Sequence, residues 1–398
     1  MADALAALPE RARLLHDLTT NEGTQLRLNA LVGTRMGAAV LQPEGLVFES
    51  VRACVRPISN LTFNDEAFES YWDRLERQLF DDHRTATYLV PLMGLRYEGE
   101  AIQLGEGLHL SRLADDEVIR CLELGIITAP PGGPLGGFFA SRPALCGLRF
   151  DWSEPTVVGE IDPGSLDTGP HPARRGAELA TRAIQALRLF RSGGFRPIAH
   201  LQFVEFSGGT GFTLHPGGAI RGTGYELSSS DLEELGALQG ALSVQAVVDD
   251  PALQNALRRF GFAAERHRPE DALVDLMIAA ESLFLNDLDR REGELRFRMS
   301  LRAGWLLGID RPTRLDICRM VRRAYDVRSD IVHGNVMSDN RLTGPHGRRG
   351  MDAFLEGIEE LMRRALQQTV TTTARTGRRR TSSDWDELLS GEASSEQG

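Results

Sequence analysis

The sequence predicts an α+β N-terminal region followed by an all-α, four-helix C-terminal domain. Up to about residue 264, strand-like runs mix with helical stretches, without the regular βαβ alternation of a doubly wound sheet. From about residue 267 the hydrophobic period is purely helical. Short connectors and four apolar faces then argue for an antiparallel bundle. The expected organisation is an α+β domain over 1–175, a helix and hairpin connecting region over 176–264, a helical bundle over 265–372 and a disordered tail over 373–398.

Residues 4–17 read as a short helix, and 45–63 have strand composition. Residues 67–80 read as a helix, with Phe68, Tyr71, Trp72, Leu75 and Leu79 near helical spacing. The runs ATYLVPLMGLRYEG and EAIQLGEGLHLSRL read as two strands joined in a hairpin around Glu98–Gly99. A helix is expected from Leu113 to Leu124. The Pro/Gly-rich stretch 128–143 is loop, and strands return at 144–151 and 155–160. Residues 176–191 form an amphipathic helix. IAHLQFVEF and GFTLHP flank SGGTG, which reads as a hairpin turn rather than a phosphate loop, because no Gly-Lys-Ser/Thr follows it. Residues 231–260 are helical with a break near Asp249–Pro251.

In the helical region Pro269 suits a first turn, with Glu270 and Asp271 beside it. Ala272–Leu285 carries the apolar stripe Leu273, Leu276, Met277, Ala280 and Phe284. A second helix runs from Glu292 to Leu307 and stops at Gly308. Pro312 opens a third, which ends near Val332 with His333 and Gly334 at its close. Met351–Gln368 is the fourth, with Met351 and Phe354 in the core. The tail has no core-forming pattern and is expected to be plain disorder, with a short docking motif at Trp385 and Leu388–Leu389 as the alternative.

Composition excludes several chemistries. The formal net charge is −11, so any nucleic-acid contact must be a local patch on an acidic body. All 45 basic residues are arginine. Without lysine there is no Walker A loop, no kinase strand lysine and no Schiff base. Arginine is the better bidentate phosphate ligand. Cys54, Cys121, Cys146 and Cys318 are widely spaced and form neither a zinc motif nor a disulfide scaffold. The N-terminus lacks the basic-then-apolar order of a signal peptide, and no run approaches the ~20 apolar residues of a membrane span, so a cytoplasmic chain is expected. His83, His109, His171, His200 and His215 are scattered over the N-terminal region without a catalytic pattern.

Arg328-Ser-Asp-Ile-Val-His333 places an arginine and a histidine at the end of the third helix. The spacing alone says little, since Arg11…His16, Arg77…His83 and Arg341…His346 have similar separations. Context separates them. DALVDLMIAAESLFLND, ELRFRMSLRAGWLLG and ICRMVRRAYDVRSDIVHGN follow in order. Glu281 precedes small and apolar residues on the first helix. Arg298 and Arg302 are spaced by four on the second, and Tyr325 to Gly334 close the third. Over about 100 of 398 residues this order resembles the Apea-like branch of the HEPN superfamily, a family frequent in prokaryotic antiviral defence.

The resemblance implies a four-helix HEPN-like bundle and a metal-independent endoribonuclease that works as a homodimer with one composite cleft. Arg328 and His333 would be the catalytic pair, with no cofactor. RNA, with transfer RNA among the candidates, would be the substrate, and the N-terminal region a sensor or regulator answering a phage-derived or other trigger. The residue types suit that chemistry: histidine moves protons near neutrality and arginine stabilises charge on phosphorus. Glu281 is expected to hold Arg328 or Arg302, either as a positioning group or as a plain ion pair. Ser329 and Asp330 read as a solvated face or cap, with Asp330 also placed to orient a histidine. Asn335 stands where some HEPN toxins carry a modified tyrosine, which argues against control by an antitoxin. A non-catalytic dimerisation or RNA-binding module remains the alternative.

Overall fold

The computed structural model describes residues 31–32, 66, 69, 72–73, 77, 82–128, 145–157, 172–204, 210–215, 220–222, 224–287, 294–335, 342–344 and 347–390. The sequence expectations for 4–17, 45–63 and most of 128–143 lie outside them, as do Arg11, His16, Cys54, His171, Arg341 and His346. Of the expected helix 67–80, residues 69, 72, 73 and 77 are described, and they are helical.

The chain falls into two compact units, Met1–Ala180 with Pro197–Pro216, and Thr181–Arg196 with Gly217–Gly398. The expected connecting region 176–264 is therefore not a body of its own. Its hairpin joins the first unit, its first helix is divided at Ala180, and its later helices join the second.

The first unit is built on an antiparallel sheet. Its strands are β1 (Leu31–Val32), β2 (His83–Met93), β4 (Ile102–Gln103), β5 (Leu108–Arg112), β6 (Cys146–Val157), β7 (Arg196–Pro197), β8 (Ala199–Val204) and β9 (Thr210–Leu214), while β3 (Leu95–Tyr97) follows β2 outside that sheet. The order β4-β5-β6-β2-β8-β9 makes the long, apolar β2 and β6 central. Thr87 stands opposite Asp151 on β6 and Phe203 on β8. This corrects the expected hairpin around Glu98–Gly99. The tight hairpin is β4–β5, where Gly105 and Gly107 take the positive φ that a short turn needs. β2 is a middle strand because Leu89, Val90 and Leu92 need cover on both faces. The two expected strands at 144–151 and 155–160 are one continuous β6 as far as Val157.

Helix α1 (Asp115–Glu123) lies on one face of this sheet. Glu117 reaches back to the Ala114 amide at 2.9 Å and closes its first turn. Val118 and Cys121 pack with Leu89, Leu201 and Phe203 in a closed apolar cluster. On α2 (Pro172–Phe190), Gly176 meets Phe150 and Tyr88 so closely that a β-carbon there would lie 2.9 Å from the Phe150 ring.

The second unit holds β10 (Tyr225–Leu227) and the helices α3 (Leu232–Ser243), α4 (Gln245–Val248), α5 (Pro251–Glu265), α6 (Pro269–Phe284), α7 (Leu295–Leu307), α8 (Arg311–His333), α9 (Met351–Thr376) and α10 (Ser382–Ser390). The expected break near Asp249–Pro251 is the α4–α5 junction. There the Asp250 carboxylate accepts from the Leu253 amide and Pro251 opens the next helix. α6 is central and touches α5, α7, α8 and α9. Its predicted stripe, Leu273, Leu276, Met277, Ala280 and Phe284, is buried. Phe354 is buried as expected, whereas Met351 is only half-buried. Asp275 is also buried, and Arg259 and Arg266 meet its two oxygens at 2.9 and 2.7 Å.

For residues 373–390 the expected disorder is corrected, and 391–398 lie outside the described residues. α9 continues to Thr376 because Val370 and Thr373 find buried seats, and α10 follows with Trp385 buried. Among the described residues, no helix is long and apolar enough to cross a membrane.

Candidate active site at the end of helix α8

The start and end of α8 are both locally encoded. The Asp310 carboxylate accepts from the Thr313 amide at 2.8 Å, and that bond holds its carboxyl below the usual range. Pro312 occupies the first turn. Cys318, Val321, Ala324 and Val327 form the buried stripe. At the far end Gly334 adopts φ +71°. The Asn335 amide then donates to the Asp330 carbonyl at 2.9 Å, and the Gly334 amide to Ile331 at 3.2 Å. This paired closure is a Schellman motif, and it makes His333 the last residue before the left-handed turn. The Asn335 side chain adds a bond to the Asp330 carboxylate at 3.3 Å. Asp330 and Asn335 thus share in closing the helix.

A β-carbon at Gly334 would meet nothing within 4 Å, so the demand for glycine is conformational, not spatial. Gly334→Ala is expected to cost about 1–2 kcal/mol, the penalty of a left-handed alanine. Urea unfolding should show it as a lower midpoint at unchanged slope.

His333 is exposed, and Arg328 and Ser329 are half-buried. The Arg328 guanidinium stands 3.9 Å from the Glu281 carboxylate on α6, an ion pair too long for a hydrogen bond. Its Nε is buried and finds no hydrogen-bond partner among the described residues. Arg328 is therefore turned toward a carboxylate yet keeps an unspent donor. Within the helix, five residues separate Arg328 from His333, which sets the two side chains ~140° apart around the axis. The chain brings Arg328 to Glu281; it does not aim Arg328 and His333 at one point.

Arg302 belongs elsewhere. It is buried, and its Nη1 donates to the Phe284 carbonyl at 2.5 Å and to Asp287 at 2.6 Å. The acid that holds Arg302 is thus Asp287, not Glu281. Arg302 and the Ser382 hydroxyl together keep the Asp287 carboxyl below the usual range against the opposing effect of burial.

The first unit brings together groups that the sequence left scattered. The Tyr88 hydroxyl lies 2.5 Å from His200 Nδ1, and the His200 and His215 rings are 4.8 Å apart. Burial pushes the Tyr88 hydroxyl up to about 12. The expected hairpin carries both: His200 pairs with Thr213, and His215 lies two residues further along on the same side. On the other face Thr87 donates to Asp151 at 2.7 Å, Arg149 bridges Asp151 and Glu117, and His109 stands opposite Arg149. Burial pushes the Cys121 thiol up to about 12 and raises those of Cys146 and Cys318, which keeps all three as unreactive thiols. Among the described residues, no group of three or more His, Cys, Asp or Glu could hold a metal ion.

Comparison of the chain with family models, with curated proteins and with solved structures gave no match in any of the three.

Proposed function

We propose that α6, α7, α8 and α9 form a HEPN-like four-helix bundle and that the chain is an endoribonuclease, acting as a homodimer. The observation that carries this reading is the state of Arg328: half-buried, steered by Glu281 and left with an unspent donor, five residues before an exposed histidine. Such a guanidinium suits a phosphodiester oxygen, to which its fork of donors can turn when a substrate arrives.

The chemistry asks little beyond proton transfer and charge stabilisation. The ribose 2′-oxygen attacks the adjacent phosphorus as its proton passes to the His333 imidazole. The bond from phosphorus to the 5′-oxygen then breaks, and that oxygen takes up a proton. Arg328 holds the negative charge that builds on the phosphoryl oxygens. The products are a 2′,3′-cyclic phosphate and a 5′-hydroxyl. Because one helix sets the two side chains far apart in azimuth, the pairing is assigned to Arg328 of one protomer and His333 of its partner. The sheet unit is read as the sensor of the trigger in antiviral defence.

The test is cleavage of total and transfer RNA by the purified full-length chain, beside its Arg328→Ala and His333→Ala variants. New cyclic-phosphate ends made by the wild type and lost in both variants are expected. Identical cleavage by all three overturns the proposal. The wide azimuth favours a second reading, a non-catalytic RNA-binding or dimerisation module; it predicts retention of RNA with no new ends.

A further inference from the structure

The tail, expected from the sequence to be disordered, is docked on the second unit. α9 ends at Gly377, and three arginines follow, each placed differently. Arg378 pairs with Asp384 of α10. Arg379 crosses to Asp250 at 3.0 Å and to the Leu283 carbonyl at 3.3 Å. The Arg380 guanidinium lies 5.6 Å from the Trp385 ring centre. The Thr381 hydroxyl and amide both donate to Asp384 and open the helix. Trp385 then sits against Phe284 and over the Arg302 guanidinium, at 6.1 and 5.4 Å. Ser382 donates to Asp287 at 2.7 Å.

Two features weaken this seat. The Trp385 indole nitrogen is buried without a hydrogen-bond partner, so docking leaves one donor unsatisfied. α10 has nine residues, too few to hold a helix by itself once it leaves the surface. Docking and helix formation therefore stand or fall together.

The contact most exposed to a change of charge is Ser382. Asp287 already accepts from Arg302 on one oxygen, and its other oxygen is satisfied by the Ser382 hydroxyl. Arg302 is committed to Asp287 and to the Phe284 carbonyl.

We infer that Arg378–Ser390 is a latch and that Ser382 is a modification site whose phosphorylation releases it. In that step the Ser382 oxygen forms a bond to the γ-phosphorus of a nucleoside triphosphate. The bond from that phosphorus to the leaving diphosphate breaks, and the hydroxyl proton passes to the base of the transferring kinase. The modified side chain no longer donates to Asp287 and sets a near-dianion against a carboxylate. Trp385 loses its seat over Arg302 in consequence.

The inference is independent of RNA cleavage, and so is its test. The full chain is made with phosphoserine incorporated at position 382 and compared with wild type, Ser382→Ala and Trp385→Ala by hydrogen exchange and mass spectrometry. The amides of 382–390 are expected to exchange at least tenfold faster in the phosphoserine protein, matching Trp385→Ala, while those of α8 are unchanged. Ser382→Ala, which loses one neutral hydrogen bond, should stay within a few-fold of wild type. Unchanged or slower exchange with phosphoserine, the sign of a phosphate captured by Arg302 or Arg380, overturns the inference. So does equal release by Ser382→Ala, which would make the hydrogen bond, not the charge, decisive.

Discussion

Arg302→Met is expected to destabilise the helical unit by about 3–5 kcal/mol, the range seen when one partner of a buried ion pair is removed. The guanidinium is almost wholly buried and meets three groups at once: the Asp287 carboxylate, the Phe284 carbonyl and the Trp385 ring. Methionine keeps the packing volume but leaves Asp287 as an uncompensated charge in a site only 12% exposed. Denaturant unfolding checks the loss, and the double variant Arg302→Met/Asp287→Asn should recover part of it. Acid supplies a second check. The folded Asp287 carboxyl lies below its unfolded value, so its contribution is present above the ordinary carboxylate range near ~4. It is lost as pH falls from there through the lower folded value. The gap between wild type and Arg302→Met should therefore narrow over that acid window.

Arg302 also shows where sequence reading stops. The ends of α8 were legible because each is fixed by neighbours in the chain: Pro312 at the start, Gly334 at the close. The α6 stripe was legible because burial follows a 3.6-residue period. Which of Arg328 and Arg302 takes Glu281 follows no local rule. It depends on how α6 and α7 pack, and the structure gives Asp287 to Arg302 and Glu281 to Arg328. The tail failed for the same reason. Trp385 has no apolar period around it, and its seat is built by Phe284 and Arg302, residues about 100 and 80 positions earlier. In the sheet unit, strand existence and the β8–β9 hairpin were legible, and the long-range partners were not. Whether β2 folds back on its sequence neighbour or lies between β6 and β8 is a long-range pairing.

The largest effect on activity is expected from the pair at the end of α8. Arg328→Ala and His333→Ala should each lower RNA cleavage ~10²–10³-fold, the size of losing a charge-stabilising or proton-transferring group. The azimuth of ~140° makes a mixing experiment more informative than either variant alone. If a site takes its arginine from one protomer and its histidine from the partner, a dimer of one Arg328→Ala chain and one His333→Ala chain has one complete site and one empty one. Random exchange of equal amounts makes half the dimers mixed, so about a quarter of wild-type activity should return from two inactive proteins. A site using both residues of one chain cannot recover, since neither chain is intact, and a cleft that needs all four side chains cannot recover either. Measured cyclic-phosphate formation in the mixture therefore separates a shared site from the others. Glu281→Gln should leave the recovery in place while weakening it, because Glu281 steers Arg328 across 3.9 Å without a hydrogen bond.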